Sequence, residues 1–152
     1  MKLLSEAFAD GQAIPQRHGC DGADLSPPLH WSDAPAATKG FALVCEDPDA
    51  PSGTWYHWGA YGLAPSTRSL AEGFSRKARV EFARQVLNDF GKLGYGGPCP
   101  PKGHGLHHYL FRLFAVDVAS LSLAADARCP DLLAALRPHV LGEARLTGTY
   151  RR

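Results

Sequence analysis

Residues 97–109 read Gly-Pro-Cys-Pro-Pro-Lys-Gly-His-Gly-Leu-His-His-Tyr, and neither a helix nor a central strand can be built from them. Each Pro lacks the backbone donor that a helix or a ladder needs, and each Gly adds conformational freedom that folding must remove. The segment is a shaped loop. Directly after it, residues 108–118 alternate and then turn mostly apolar, as a strand entering a core does. The loop therefore delivers His107 and Tyr109 to a strand mouth. Residues two apart on an extended chain share a face, so both side chains can enter one cavity.

The rest of the chain is punctuated in the same way. Turn signals at Asp10-Gly11, Cys20-Asp21-Gly22 and Ser26-Pro27-Pro28 leave only short apolar pieces in residues 1–30, which predicts short strands joined by loops. Residues 40–46 form an apolar run bounded by Gly40 and Pro48, a buried strand, and residues 55–63 form an aromatic one ended by Ala64-Pro65. Residues 66–89 are undecided, since 76–87 would pass as a helix or as an exposed excursion. Residues 129–137 predict a short amphipathic helix with Pro130 in its first turn and Pro138 ending or kinking it. Alternation in 143–150 predicts a final strand. Many short strands and one late helix make a mostly β protein, an antiparallel sandwich with a peripheral helix, as one domain over 1–152. Helices do not alternate with strands, so Gly96, Gly97 and Gly103 carry no dinucleotide-binding meaning.

Composition narrows the function classes. The 152 residues are 45% hydrophobic and 20% charged with a net charge of +1, the balance of a globular chain large enough for its own core. No apolar run approaches the ~18 residues that span a bilayer. Basic residues are scattered, which gives no footprint for nucleic acid; the local group Arg76, Lys77, Arg79 and Arg84 reads as a solvated face. The first ten residues meet Glu6 and Asp10 before an apolar run develops, so we expect no secretory signal and a cytoplasmic location. The spacing of Cys20, Cys45, Cys99 and Cys129 matches no zinc pattern, and in that setting reduced thiols are expected. Phe8, Phe74 and Phe82 are candidates for a homodimer face.

Asp47 and Asp49 sit two apart at a strand exit, and His57 lies on the next strand. If those strands pair as a hairpin, Asp47, Asp49, His57, His107 and Tyr109 meet at one mouth. His104 and His108 are expected on the loop surface or the opposite face, and Cys99 as a small residue in a tight turn. His18, His30 and His139 show no partners. Such a pocket could hold a metal, activate water through a histidine, or bind an oxyanion through imidazoles, a phenol and loop amides. Composition does not choose among these.

The motifs themselves do more. Asp47-Pro48-Asp49-Ala50-Pro51 with Trp55-Tyr56-His57-Trp58, then residues 97–103 with His107-His108-Tyr109, resemble the two signature regions of the phosphatidylethanolamine-binding protein family. Cys20-Asp21-Gly22, Ser26-Pro27-Pro28-Leu29-His30-Trp31, Asn88-Asp89-Phe90-Gly91 and Leu146-Thr147-Gly148-Thr149-Tyr150 resemble its bacterial and archaeal branch, called Raf-kinase-inhibitor-like. The resemblance implies a large antiparallel sheet packed on a smaller one, with a pocket at the sandwich edge for phosphate-like anions. It implies pocket residues Asp47, Asp49, His57, Pro100, His107 and Tyr109, with backbone from the Gly97, Pro98 and Cys99 turn. Two departures stand out: Asp24 where the branch commonly has Asn, and the segment 76–86.

The resulting expectation is a protein without cofactor or bound metal that binds a small anion (phosphate, a phosphorylated head group such as phosphoethanolamine, sulfate or acetate) and regulates an unidentified partner, such as a kinase. The alternative is a hydrolase or phosphatase-like enzyme with His57 or His107 as base, with or without a bound metal. No Ser or Cys is set against a His in the sequence, so binding ranks above catalysis. Two carboxylates in an anion site would repel phosphate by roughly 4 kcal/mol at ~4 Å and an effective dielectric of ~20. The aspartates are therefore expected to hold His57 and His107 cationic.

Overall fold

The apolar run at 40–46 is unbroken because the strand it forms is covered on both faces, so neither parity of side chain meets water. In the computed structural model, which describes residues 1–80 and 83–152, β1 is Lys2–Leu4, β2 Leu29–Ser32, β3 Gly40–Asp47, β4 Trp55–Leu63, β5 Ser69–Leu70, β6 Arg79–Val80, β7 Ala83–Gln85, β8 His107–Val116 and β9 Val140–Tyr150. The one α-helix among these residues, α1, is Cys129–Leu136. Strands pair antiparallel in a small sheet ordered β1-β2-β5 and a large one ordered β6-β7-β4-β3-β8-β9.

Phe41, Leu43 and Cys45 of β3 join Tyr109, Phe111 and Leu113 of β8 in a core closed by Leu3, Leu29 and Trp31 from the small sheet. The opposite parity, Ala42 and Val44, packs with Phe114 under Cys129, Leu132 and Leu136 of α1. Gly59 lets the helix seat so closely: a Cβ there would stand 2.5 Å from Val86 Cγ2 and 3.0 Å from Cys129 Sγ. Helix α1 begins as its sequence predicts, with Pro130 in the first turn and the Asp131 carboxylate accepting from the Arg128 amide at 2.9 Å. Pro138 falls in a short 3-10 turn, Arg137–His139, after which β9 starts three residues earlier than the alternation at 143–150 suggests.

Several expectations change. Residues 1–28 hold one short strand and a 3-10 turn, Gln16–His18; the rest is loop. The described residues of the undecided stretch are not helical: β6 and β7 pair at the edge of the large sheet. Buried Gln85 organises it, accepting from Trp58 Nε1 at 2.7 Å and donating to the Ser75 and Lys77 carbonyls at 2.5 and 2.8 Å. Arg79 and Arg84 lie opposite each other across this edge pair and are exposed, a placement that discourages a further strand from adding there. Phe8 is buried in the core and Phe74 packs against it beside Trp58, so neither offers a dimer face; Phe82 lies outside the described residues. His18 is buried with Nδ1 at 2.9 Å from the Leu25 carbonyl, and His139 pairs with Asp117 at 2.9 Å, so both have structural partners.

The expectation of four reduced thiols is corrected. Cys20 and Cys99, 79 residues apart, form a disulfide, while Cys45 and Cys129 are free and buried. That separation leaves no local pattern, because the pairing is decided only when the loops around 20 and 99 meet in the fold. No helix is long and apolar enough to cross a membrane among the described residues.

Candidate functional site

The site is built where three central strands reach one end of the large sheet. Strand β3 stops at Asp47 because Pro48 has no amide to donate, and a turn follows at 48–49. Its antiparallel partners bring Trp55 of β4 opposite Asp47 and Leu110 of β8 opposite Glu46, which sets Tyr109 level with Asp47. His57 stands two residues into β4 from Trp55, and His107 opens β8.

Asp47 is buried with both oxygens engaged: Oδ1 accepts from the Asp49 amide at 2.8 Å, and Oδ2 meets His107 Nδ1 at 2.6 Å. The outer nitrogen of His107, Nε2, meets His104 Nδ1 at 2.6 Å, so a carboxylate and two imidazoles form one hydrogen-bonded chain from the core to the loop surface. His104, expected on the loop surface or the opposite face, is exposed and is the outer member of that chain. The His-x-x-His interval was the signal that could have marked it.

His57 differs from the expectation of a cationic ring. Burial lowers its pKa, and this outweighs the Gly96 carbonyl and the Asp47 charge that act the other way. Its Nδ1 lies 2.7 Å from the Gly96 carbonyl oxygen, so in the neutral ring that nitrogen carries the proton and Nε2 carries the lone pair. Tyr109 packs edge-on to His57 with ring centroids 5.1 Å apart. Burial first and the Asp47 charge second push its phenol well up, so it stays a donor. The hydroxyl is near Asp47 yet makes no directed hydrogen bond, and it is buried without a partner among the described residues.

These four side chains floor a cavity of about 210 Å³. Its walls are Trp55, Phe90, Pro51, Pro100 and Pro101, with Cys99 and Ser52 also on the lining. Trp55 and Phe90 meet edge-to-face at 5.5 Å. Phe90 is placed by the turn that Asn88 builds: Asn88 Oδ1 accepts from the Phe90 and Lys92 amides at 2.9 and 3.1 Å, and Gly91 takes the positive φ of 76° that the turn needs. Asp89 ties this turn to β4 by accepting from the Tyr56 amide at 2.8 Å. Trp55, Phe90, Pro51, Ser52 and Pro101 were not among the sequence candidates, although the Asn-Asp-Phe-Gly motif had singled out Phe90's turn.

Three sequence candidates stand off the lining. Asp49 lies beyond the strand end, so the two-residue period does not carry it inward; its carboxylate is exposed and accepts from the His108 amide at 2.8 Å and ring Nδ1 at 2.7 Å. Slight burial would raise that carboxyl, but the His108 hydrogen bonds prevail and hold it below its usual range. Gly97 and Pro98 face the other way: the Gly97 amide donates to Asp24 Oδ1 at 2.7 Å, and the Pro98 carbonyl accepts from the Cys20 amide at 3.0 Å. The Gly97 amide is therefore committed to the protein, not free for a ligand. Asp24 supplies the acceptor from the position where the branch commonly has Asn, at a φ of 58°. Among the described residues no group of three His, Cys, Asp or Glu side chains converges to hold a metal.

Comparison with known proteins matches the motifs and the fold. A family model described as phosphatidylethanolamine-binding protein matches residues 4–151. A UPF0098 protein of Methanothermobacter thermautotrophicus is 46% identical over 153 residues, covering 100% of this chain and 99% of the relative. The crystal structure of E. coli YbcL, a member of the mammalian PEBP family, superposes with a TM-score of 0.93 at 30% identity, covering 99% of this chain and 98% of that one. The PEBP homolog CT736 of Chlamydia trachomatis gives 0.88 at 41% identity, covering 99% and 97%. With a family match along almost the whole chain and the same two-sheet architecture, this chain belongs to the phosphatidylethanolamine-binding protein family.

Proposed function

We propose that the pocket binds a small phosphate-bearing ligand with a short organic group, of the phosphoethanolamine kind, and does not turn it over. The observation that carries this reading is the mixed character of one 210 Å³ cavity: a floor of Asp47, His57, His107 and Tyr109 under aromatic and proline walls. The family name shared by its structural relatives supports the same class of ligand.

The protonation pattern refines the ligand. Both Asp47 oxygens already accept and both His107 nitrogens are engaged, neutral His57 offers a lone pair at Nε2, and the Tyr109 hydroxyl is the donor open to a ligand. A floor so divided suits a phosphate monoanion, whose remaining proton can be donated to an acceptor, better than a dianion, which Asp47 repels. An ammonium group would lie favourably against the faces of Trp55 and Phe90. Catalysis would need an activated nucleophile, and among the described residues no Ser, Thr or Cys side chain is hydrogen-bonded to His57, His104 or His107. Any regulation of a partner protein would then act through occupancy of this pocket.

Titration calorimetry with phosphoethanolamine, inorganic phosphate and ethanolamine tests the reading. Phosphoethanolamine should bind more tightly than either half, its affinity should fall as pH rises through the second phosphate ionisation near about 6, and Phe90→Ala should weaken it severalfold. Equal affinity in Phe90→Ala, or binding that strengthens with pH, would overturn it.

A further inference from the structure

The bridge between Cys20 and Cys99 is placed for chemistry. Both half-cystines are exposed. The two remaining thiols are not: Cys45 and Cys129 are buried, and burial pushes both up, Cys129 to about 12, so neither is a nucleophile near neutral pH. One guanidinium serves both sulfurs of the bridge, with Arg152 Nη1 at 3.1 Å from Cys20 Sγ and 3.1 Å from Cys99 Sγ. Its Nε is buried without a hydrogen-bond partner among the described residues. Its ionic partner is Asp21, at 3.6 Å, which in turn accepts from the Tyr150 hydroxyl at 3.2 Å.

A disulfide sulfur is a weak acceptor, so a cation placed against it gains little while the bond is intact. A thiolate in the same place is a full anion, and a neighbouring Arg lowers a thiol's pKa. A leaving thiol of lower pKa departs faster in exchange. The guanidinium is thus already where charge will develop on whichever sulfur leaves.

We propose that Cys20–Cys99 is a thiol–disulfide exchange site for a dithiol reductant, with Arg152 receiving the departing thiolate. A reductant thiolate attacks one sulfur of the bridge; a mixed disulfide forms, the Cys20–Cys99 bond breaks, and its electron pair stays on the other sulfur beside Arg152. The second thiol of the reductant, losing its proton, attacks the mixed disulfide and leaves as a cyclic disulfide, releasing the second cysteine. Two electrons pass from the dithiol to the bridge, and its protons end on the cysteines or in solvent.

Access and recovery are both provided. Cys99 lines the 210 Å³ pocket, and both half-cystines line a second cleft of about 460 Å³ behind it. The Cys20 amide to the Pro98 carbonyl at 3.0 Å, and the Gly97 amide to Asp24 at 2.7 Å, keep the two loops together when the bond opens.

The test follows reduction of the whole protein by dithiothreitol at pH 7, with acid quenching, alkylation and intact mass, beside near-ultraviolet circular dichroism. The wild type should be reduced with its sharp tryptophan dichroism bands retained, only the broad disulfide contribution being lost. Arg152→Met should react about tenfold more slowly and shift the exchange equilibrium by a similar factor, about 30 mV for two electrons. Arg152→Lys should recover most of the rate, and Asp21→Asn, which removes the competing carboxylate, should exceed the wild type. A wild-type rate in Arg152→Met, or reduction that proceeds only in step with loss of tertiary structure, would overturn the proposal.

Discussion

Tyr109→Phe removes one oxygen from the pocket floor, and the structure gives the sign of its effect. Among the described residues the hydroxyl is buried with no hydrogen-bond partner, and both oxygens of the nearby Asp47 carboxylate already accept from the Asp49 amide and His107. An unpartnered buried hydroxyl costs about 1–3 kcal/mol relative to one solvated in the unfolded chain. The ring itself is retained, with its packing against His57 and the core. The variant should therefore be more stable than the wild type by about 1–2 kcal/mol, a rise of roughly 3–6 °C in Tm for a domain of this size. Urea unfolding followed by circular dichroism, with no ligand present, measures this. Repeating it in saturating phosphoethanolamine adds a second reading: a ligand that bonds the hydroxyl stabilises the wild type more than the variant, so the gain shrinks or reverses. A variant less stable than the wild type without ligand would show that the hydroxyl has a partner in the folded protein, and would refute the reasoning.

Other perturbations separate the parts of the site. His57, whose pKa is lowered by burial, binds fewer protons folded than unfolded, so its contribution is present above the unfolded value near 6.5 and is lost as pH falls through the folded one; chemical denaturation of His57→Gln from pH 7.5 to 5 should show a flatter decline than the wild type. His107→Ala strands a buried carboxylate and should cost about 3–5 kcal/mol in urea unfolding, a deficit that narrows on acidification because a neutral acid is easier to bury. Cys20→Ser opens a link spanning 79 residues and should lower stability by roughly 4.5 kcal/mol on the chain-entropy estimate, read from the denaturation midpoint. Gly59→Ala should destabilise by about 1–3 kcal/mol, since its Cβ would press on Val86 and Cys129 under α1.

The parts of this molecule that were legible in the sequence are those where local chemistry and fold agree. The run at 40–46, the aromatic strand at 55–63 and Pro130 at a helix start need no distant partner to be recognised, and β3, β4 and α1 stand there. The family motifs carried the sandwich architecture. What was not legible depends on contacts between segments far apart in the chain. Gln85 holds in the sheet a stretch that could pass as helix because Trp58 is across from it, 27 residues away. Asp49 leaves the pocket because Pro48 starts a turn and His108 holds the carboxylate outside. The charge on His57 does not follow from the sequence, because residue type and nearby aspartates set only part of its pKa, and the larger part, desolvation, is a property of the packed site.

The loop at 97–109 acts as a wall because it is fastened from behind. Cys99 is bonded to Cys20, the Gly97 amide to Asp24 and the Pro98 carbonyl to the Cys20 amide, so the segment carrying Pro100 and Pro101 into the lining is fixed at three successive residues. Gly97 admits this approach, because any Cβ there would collide with the His18 carbonyl. A wall fixed before the ligand arrives loses little conformational entropy on binding, which favours affinity in a cavity too small to bury much surface. Among those three fastenings the disulfide is the one that a reductant acts on directly. The same bond thus connects pocket geometry to redox conditions: opening it frees the Cys99 side chain on the pocket lining, where a thiolate would add negative charge to a cavity that Asp47 also lines and oppose an anionic ligand.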